Sequence, residues 1–115
     1  MEEFIKVMKA LSDPNRVKII KILQRKPKMC VCEMQAALGI AQPTVSNHLK
    51  VLEEAGLVVH EKAGLWVNYS AAAGESSPYA ATLLGALHHW LNSDSEVLGL
   101  FEMLPSIRRE QICRK

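Results

Sequence analysis

The sequence predicts a mainly α-helical chain with one small β-hairpin, its elements running α-α-α-α-β-β-α with a further helix at the end. Three observations carry this. Apolar residues make up 49% of the 115 and recur at helical spacing over most of the chain. Between residues 57 and 70 the period changes to strand formers on either side of Ala63-Gly64. Gly39 separates two short helical stretches, the second opening at Pro43, which is a helix-turn-helix arrangement.

The elements follow in order. Phe4, Val7, Met8 and Leu11 form the i, i+3, i+4, i+7 stripe of a first amphipathic helix. Asp13 is a good N-cap and Pro14 suits the first helical position, so a second helix starts there. Val17, Ile19, Ile20, Ile22 and Leu23 give it a wide apolar face, which predicts a central place in the core, and Pro27 ends it. A short third helical segment runs from about Cys30 to Leu38 and closes at Gly39, the usual C′ residue. The fourth helix opens at Pro43, repeats Val45, Leu49 and Leu52, and closes at Gly56. Val58, Val59, Trp66, Val67 and Tyr69 are strand formers around a turn at Ala63-Gly64.

Ser77-Pro78 caps a helix carrying Ala80, Leu83, Leu84, Leu87 and Leu91. Ser93 to Glu96 has capping-box spacing, which predicts a last helix with Val97, Leu98, Phe101 and Leu104 before Pro105. This C-terminal third has more apolar stripe than so short a monomer covers. A dimerisation segment is therefore expected over about residues 75–113 of a single 1–115 domain.

Composition excludes several classes. Charged residues are 23% and the net charge is +2, unlike a disordered or strongly basic tail. No apolar run approaches the roughly 20 residues that span a bilayer, and residues 1–12 lack a signal-peptide core, so a soluble cytoplasmic protein with no membrane partner is expected. Three cysteines are too few for a disulfide framework, which leaves thiols or metal ligands. No Gly-rich phosphate loop or Ser/His/Asp pattern argues for an enzyme. Charge is unevenly placed: residues 1–32 carry eight Lys and Arg against three acids, whereas residues 33–105 carry two against eight. Such a chain can present one surface to a polyanion, and solvated helix faces read equally well from charge alone.

On the fourth helix Val45, Leu49 and Leu52 share one face, while Ser46, Asn47 and Lys50 point the other way. Gln42 and Thr44 lie at its N-terminus. This small, polar, nearly uncharged face suits hydrogen bonding to base edges in a major groove. An ordinary solvent face fits the window alone; the hairpin directly after it favours DNA reading. Lys62 is the one obvious phosphate contact from the hairpin, and Arg16, Lys18 and Lys28 are either backbone contacts or solvated charges.

Ala10-Leu11-Ser12-Asp13-Pro14-Asn15-Arg16, Cys30-Val31-Cys32-Glu33, Gln42-Pro43-Thr44-Val45-Ser46-Asn47-His48-Leu49 and Gly64-Leu65-Trp66-Val67-Asn68-Tyr69 occur in order over residues 4–70. In these strings the chain resembles the arsenic- and metal-responsive winged-helix repressors, the ArsR/SmtB family. The resemblance implies a winged helix-turn-helix homodimer, a repressor on double-stranded operator DNA and not an enzyme. It further implies that the Cys-Val-Cys stretch takes As(III) or Sb(III) as inducer and releases the operator. His48 matches the family's histidine, yet it sits at the edge of the apolar face, where packing or a local hydrogen bond is expected. Several positions depart from the pattern. Ala41 stands where a Ser N-cap is common, at a cost of about 1 kcal/mol, and Leu65 stands where a basic residue is common. Gln35 stands where some members have a third cysteine, and the N-terminal cysteines of cadmium- and lead-sensing relatives are missing.

Cys30 and Cys32 have a geometric requirement of their own. Residues i and i+2 lie about 200° apart around a helix but on one side of an extended segment. A single ion held by both thiolates requires this segment to leave helical geometry, and the segment leads into the helix-turn-helix. Soft thiolates select thiophilic ions. Cys113, among Arg108, Arg109, Arg114 and Lys115, is either a third sulfur or a free tail thiol. His88-His89 invites comparison with zinc sites between paired helices, but the two rings point about 100° apart, and a polar edge on the interface is expected. The alternatives are a zinc- or cadmium-responsive or thiol-redox repressor and, from another class, a small thiol oxidoreductase. The last lacks the Cys-x-x-Cys that opens a helix in a β-α-β unit.

Overall fold

The computed structural model describes residues 1–75 and 77–112. Among these the order is α1 (Glu2–Ala10), α2 (Pro14–Arg25), α3 (Val31–Leu38), α4 (Gln42–Glu54), β1 (Val58–Ala63), β2 (Trp66–Ala71), α5 (Pro78–Leu87), α6 (Ser95–Met103), a 3-10 turn (Leu104–Ser106) and α7 (Arg109–Ile112). The helix α2 starts where the sequence places it: Asp13 Oδ1 accepts the amides of Asn15 and Arg16 at 2.8 and 3.3 Å. Its Ile19, Ile20, Ile22 and Leu23 are fully buried and meet Met34 of α3, Val45, Leu49 and Leu52 of α4, and Leu84 and Leu87 of α5 in one core. Each such side chain stabilises the fold by about 1.5–3 kcal/mol relative to exposure.

The stripe of α1 is only half used. Val7 and Ala10 are buried, whereas Phe4, Ile5 and Met8 remain exposed, with Phe4 meeting the Tyr79 ring edge-on at 5.5 Å. Lys21 is the unexpected core residue. It is 2% exposed, and its ammonium donates to the carbonyls of Leu87 and of Trp90 and to Asn92 Oδ1, closing the C-terminal end of α5. Burial lowers its pKa, and the Arg25 charge adds to the effect.

Three C-terminal expectations are corrected. Leu91 lies beyond α5, exposed and at φ +67°. The cap of α6 is Asp94 rather than Ser93, because the Asp94 carboxylate accepts from Glu96 and Val97 amides at 2.9 and 3.2 Å. After Pro105 the chain turns once and forms α7, which the sequence reading did not include.

The hairpin pairs Val58 with Ala71 through Ala63 with Trp66, so its loop is Gly64-Leu65, one residue later than expected. Gly64 takes the left-handed φ of +63° that the turn needs. Met29, just before α3, bridges to the other edge of β2: its N–H donates to the Tyr69 carbonyl at 3.1 Å and its carbonyl accepts the Tyr69 N–H at 2.8 Å. Among the described residues no helix is long and apolar enough to cross a membrane.

Candidate nucleic-acid interface and thiol site

Helix α3, the turn at Gly39 (φ +68°) and helix α4 form the helix-turn-helix. Packing fixes which side of α4 faces out, because Val45, His48, Leu49 and Leu52 are buried. Gln42, Thr44, Asn47 and Lys50 are exposed and Ser46 is half-buried, so the outer face carries the expected residues with Ser46 recessed. Ala41 is the N-cap and supplies no side-chain acceptor to the free amides. Lys62 is exposed on β1 opposite Val67, and Leu65 is 71% exposed at the hairpin tip.

His48 is 7% exposed, with Nδ1 3.3 Å from Arg16 Nη1 and Nε2 3.9 Å from Asp13 Oδ1. Arg16 also donates to the carbonyls of Ala10 and Lys9 at 2.7 and 3.3 Å. It therefore fastens the end of α1 to α2 and α4, which accounts for its guanidinium without a phosphate. Lys18 pairs with Glu96 at 3.0 Å and Lys28 with Glu61 at 3.8 Å. Such surface pairs contribute about 0–1 kcal/mol each.

The thiol segment differs from the helix assumed from sequence. Cys30 is the N-cap, extended at φ −90° and ψ 170°, and only Cys32 lies within the first turn of α3. The two cysteines are not joined in a disulfide; Cys30 is buried and Cys32 half-buried. A capping box holds Cys30. Its sulfur accepts the Glu33 amide, and Glu33 Oε1 accepts the Cys30 N–H at 3.0 Å. Burial pushes the Cys30 thiol up; the Glu33 amide on its sulfur works against this, and the Glu33 carboxylate beside it adds to the rise.

Glu33 is 3% exposed. Burial would raise its carboxyl, but the Cys30 amide, Arg109 and Lys26 together hold it below its ordinary value. Arg109 of α7 reaches Glu33 Oε1 at 3.0 Å, the Lys28 carbonyl at 2.7 Å and Asn68 Oδ1 at 2.7 Å, and lies 4.7 Å from the centre of the Trp66 ring. Lys26 lies 3.3 Å from Glu33 Oε2. The sequence reading missed Glu33, Arg109 and the Met29 bridge. Cys30-x-x-Glu33 has capping-box spacing with cysteine in place of serine, and that signal could have revealed Glu33.

Cys30 and Cys32 open into a cleft of about 430 Å3 shared with Gln35, Gln42 of α4 and Trp66 and Tyr69 of β2. On its other side Cys32 lines a hollow with Gln35, Gly39 and Ile112 of α7. Cys113 lies outside the described residues. Among the described residues no three His, Cys, Asp or Glu side chains gather as a metal site, and His88 and His89 are exposed at the end of α5.

A two-helix reader with a hairpin beside it is a nucleic-acid-binding architecture, and the comparisons agree. Residues 13–59 match the family described as bacterial regulatory protein, arsR family. The arsenic resistance transcriptional regulator ArsR1 of Pseudomonas putida is 35% identical over 100 residues, covering 84% of this chain and 77% of that protein. Among solved structures, the transcriptional repressor BigR of Xylella fastidiosa superposes with a TM-score of 0.67 at 29% identity, covering 82% of this chain and 88% of that one. The homodimeric winged helix-turn-helix DNA-binding domain Mb0332 of Mycobacterium bovis gives 0.65 at 26% identity, covering 82% of each chain. The chain belongs to the arsR family of bacterial regulatory proteins. It is a winged helix-turn-helix transcriptional repressor and not an enzyme.

Proposed function

We propose that this chain is a homodimeric repressor that binds double-stranded operator DNA in the apo state and is released by As(III) or Sb(III) at Cys30 and Cys32. The observation that carries this reading is the shared cleft: both thiols border the first residue of α4 and the inner side of the hairpin. Arsenous acid, As(OH)3, exchanges each hydroxyl for a thiolate, the thiol proton leaving with the hydroxyl as water. Half-buried Cys32 is the accessible first sulfur. The second bond draws Cys30 out of its cap and opens the first turn of α3, next to the reading helix. Gln42, Thr44, Ser46 and Asn47 read base edges, Lys50 and Lys62 contact phosphates, and a ligand that cannot keep both geometries weakens DNA binding.

Two features extend this. The exposed apolar residues of α1 and the C-terminal helices, including Phe4, Met8, Leu98 and Met103, support pairing of two copies through these elements, and the M. bovis domain is homodimeric. Cys113 is the candidate third sulfur, since its basic neighbours Arg108, Arg109, Arg114 and Lys115 favour the thiolate. The second reading is a redox response at the same two cysteines, in which peroxide oxidises the Cys30 and Cys32 thiols to a disulfide and is reduced to water; the two are not joined in the structure. A zinc or cadmium inducer would use the same thiolates.

Gel shifts with one promoter fragment decide. Arsenite is expected to release the wild type, while Cys30→Ser and Cys32→Ser bind DNA and stay bound, since serine keeps the cap of α3. Release of both variants at the wild-type arsenite concentration would overturn the reading. Release by peroxide that a phosphine reductant reverses, with none by arsenite, would establish the redox reading instead; release by zinc or cadmium alone would replace the metalloid.

A further inference from the structure

We propose that Arg109 is a positioning residue that couples the thiol segment to the wing, so that displacing Cys30 from its cap is felt by the hairpin through one guanidinium. This rests on the reading of Cys30 and Cys32 as the inducer site and names how that site is regulated.

Glu33 Oε1 accepts both the Cys30 N–H and Arg109 Nη2, each at 3.0 Å. Any movement that takes Cys30 out of its extended cap removes one of the two donors to Oε1 and leaves Arg109 there, with Lys26 on Oε2. The same Arg109 nitrogen is 2.7 Å from Asn68 Oδ1 on β2, and Asn68 is 8% exposed, so its amide has little access to water as a substitute. The guanidinium stacks at 4.7 Å on Trp66, the first residue of β2, which pairs with Ala63 beside Lys62. One side chain thus touches the α2–α3 linker at Lys28, the first turn of α3 at Glu33 and the wing strand β2 at Asn68 and Trp66.

A second connection runs in parallel. Met29, adjacent to Cys30, is hydrogen-bonded through both backbone groups to Tyr69, one residue from Asn68. The linker is therefore tied to β2 by its backbone and α3 to β2 by Arg109. Pulling the thiol segment straight strains both connections. The Arg109 contact is the one a side-chain change removes without altering the backbone. All three hydrogen bonds come from Nη2 while the guanidinium carbon lies 4.7 Å from the Trp66 ring centre, and a lysine ammonium is a point charge with no plane to stack on that ring.

The test compares wild type, Arg109→Gln and Arg109→Lys, with operator affinity measured with and without arsenite and arsenite binding measured on the DNA-free proteins. In wild type, arsenite is expected to weaken operator binding by about 5–150-fold, the usual range of coupling between two sites. In Arg109→Gln the weakening should shrink to about threefold or less, while arsenite still binds the free protein at least as tightly. Arg109→Lys should fall between. A purely structural role would lower thermal stability and leave the arsenite fold-change intact, and that result overturns the proposal.

If the wild type binds no arsenite, the inducer reading fails and the coupling is judged without it. In a Trp90→Phe background, Glu33→Gln should shift Trp66 fluorescence when Arg109 is present and leave it unshifted when Arg109 is Gln. Equal shifts in both would overturn the coupling.

Discussion

The carboxylate of Glu33 offers the sharpest test of the physical account. Replacing it with alanine removes the acceptor of the buried Cys30 N–H at 3.0 Å and the acid between Arg109 at 3.0 Å and Lys26 at 3.3 Å. An unsatisfied buried amide costs about 1–3 kcal/mol, and breaking a buried ion pair costs about 3–5 kcal/mol. The cations here keep other partners, Arg109 with Lys28 and Asn68 and Lys26 with the Ile107 carbonyl, so neither is stranded. The lower end applies, and the expected loss is about 3 kcal/mol, or about 9–15 °C in melting temperature for a chain of this length. The difference should also depend on pH. Because the native carboxyl titrates below its ordinary value of 4.5, the unfolded chain binds more protons in the window beneath 4.5. The contribution of Glu33 is complete above that pH and is lost as pH falls through the lowered native value. Urea unfolding of wild type and Glu33→Ala from pH 7 downward measures both quantities. A loss under about 1 kcal/mol at pH 7, or a gap that does not narrow below pH 4.5, would refute the assignment of Glu33 as the ionised keystone of the α3 cap.

Three further expectations are independent of it. Ala41→Ser should stabilise the protein by about 1 kcal/mol in urea unfolding, because Ala41 offers no acceptor at the start of α4; an unchanged midpoint would count against an uncapped reading helix. Gln42→Ala and Asn47→Ala should reduce discrimination among operator variants by about 1–3 kcal/mol each, whereas Lys62→Ala weakens all sequences about equally, as competition gel shifts would record. The rate of arsenite-induced release should climb about tenfold per pH unit below the thiol pKa, while the extent of release changes little, because each As–S bond forms with loss of water and no net proton. Burial raises the Cys30 thiol, which moves this climb toward higher pH; a rate independent of pH in stopped-flow fluorescence would contradict attack by a thiolate.

The parts legible in the sequence were those written in local chemistry. Asp13-Pro14, Gly39 and Ser77-Pro78 mark helix ends because their caps act within a few residues, and the structure uses all three. The outward face of α4 followed from a 3.6-residue period. What escaped depends on partners far along the chain. Lys21 looks like one more surface lysine until α5 brings the Leu87 and Trp90 carbonyls to it. Arg109 meets Glu33 and Asn68 across separations of 76 and 41 residues, which no window spans. Phe4 and Met8 read as core by spacing, yet a single copy leaves that side of α1 uncovered.

The Met29–Tyr69 bridge also bears on how the hairpin behaves among other chains. A two-stranded ribbon is marginal by itself and presents two rows of open backbone groups, each a template for another strand. Here the outer row of β2 is occupied midway by a residue of the same chain, with hydrogen bonds of 3.1 and 2.8 Å. The remaining open row belongs to β1, where His60, Glu61 and Lys62 follow one another. Charged side chains on an edge discourage strand addition. The hairpin can therefore project from the body, with Leu65 bare at its tip, without offering a ready seam for edge-to-edge aggregation.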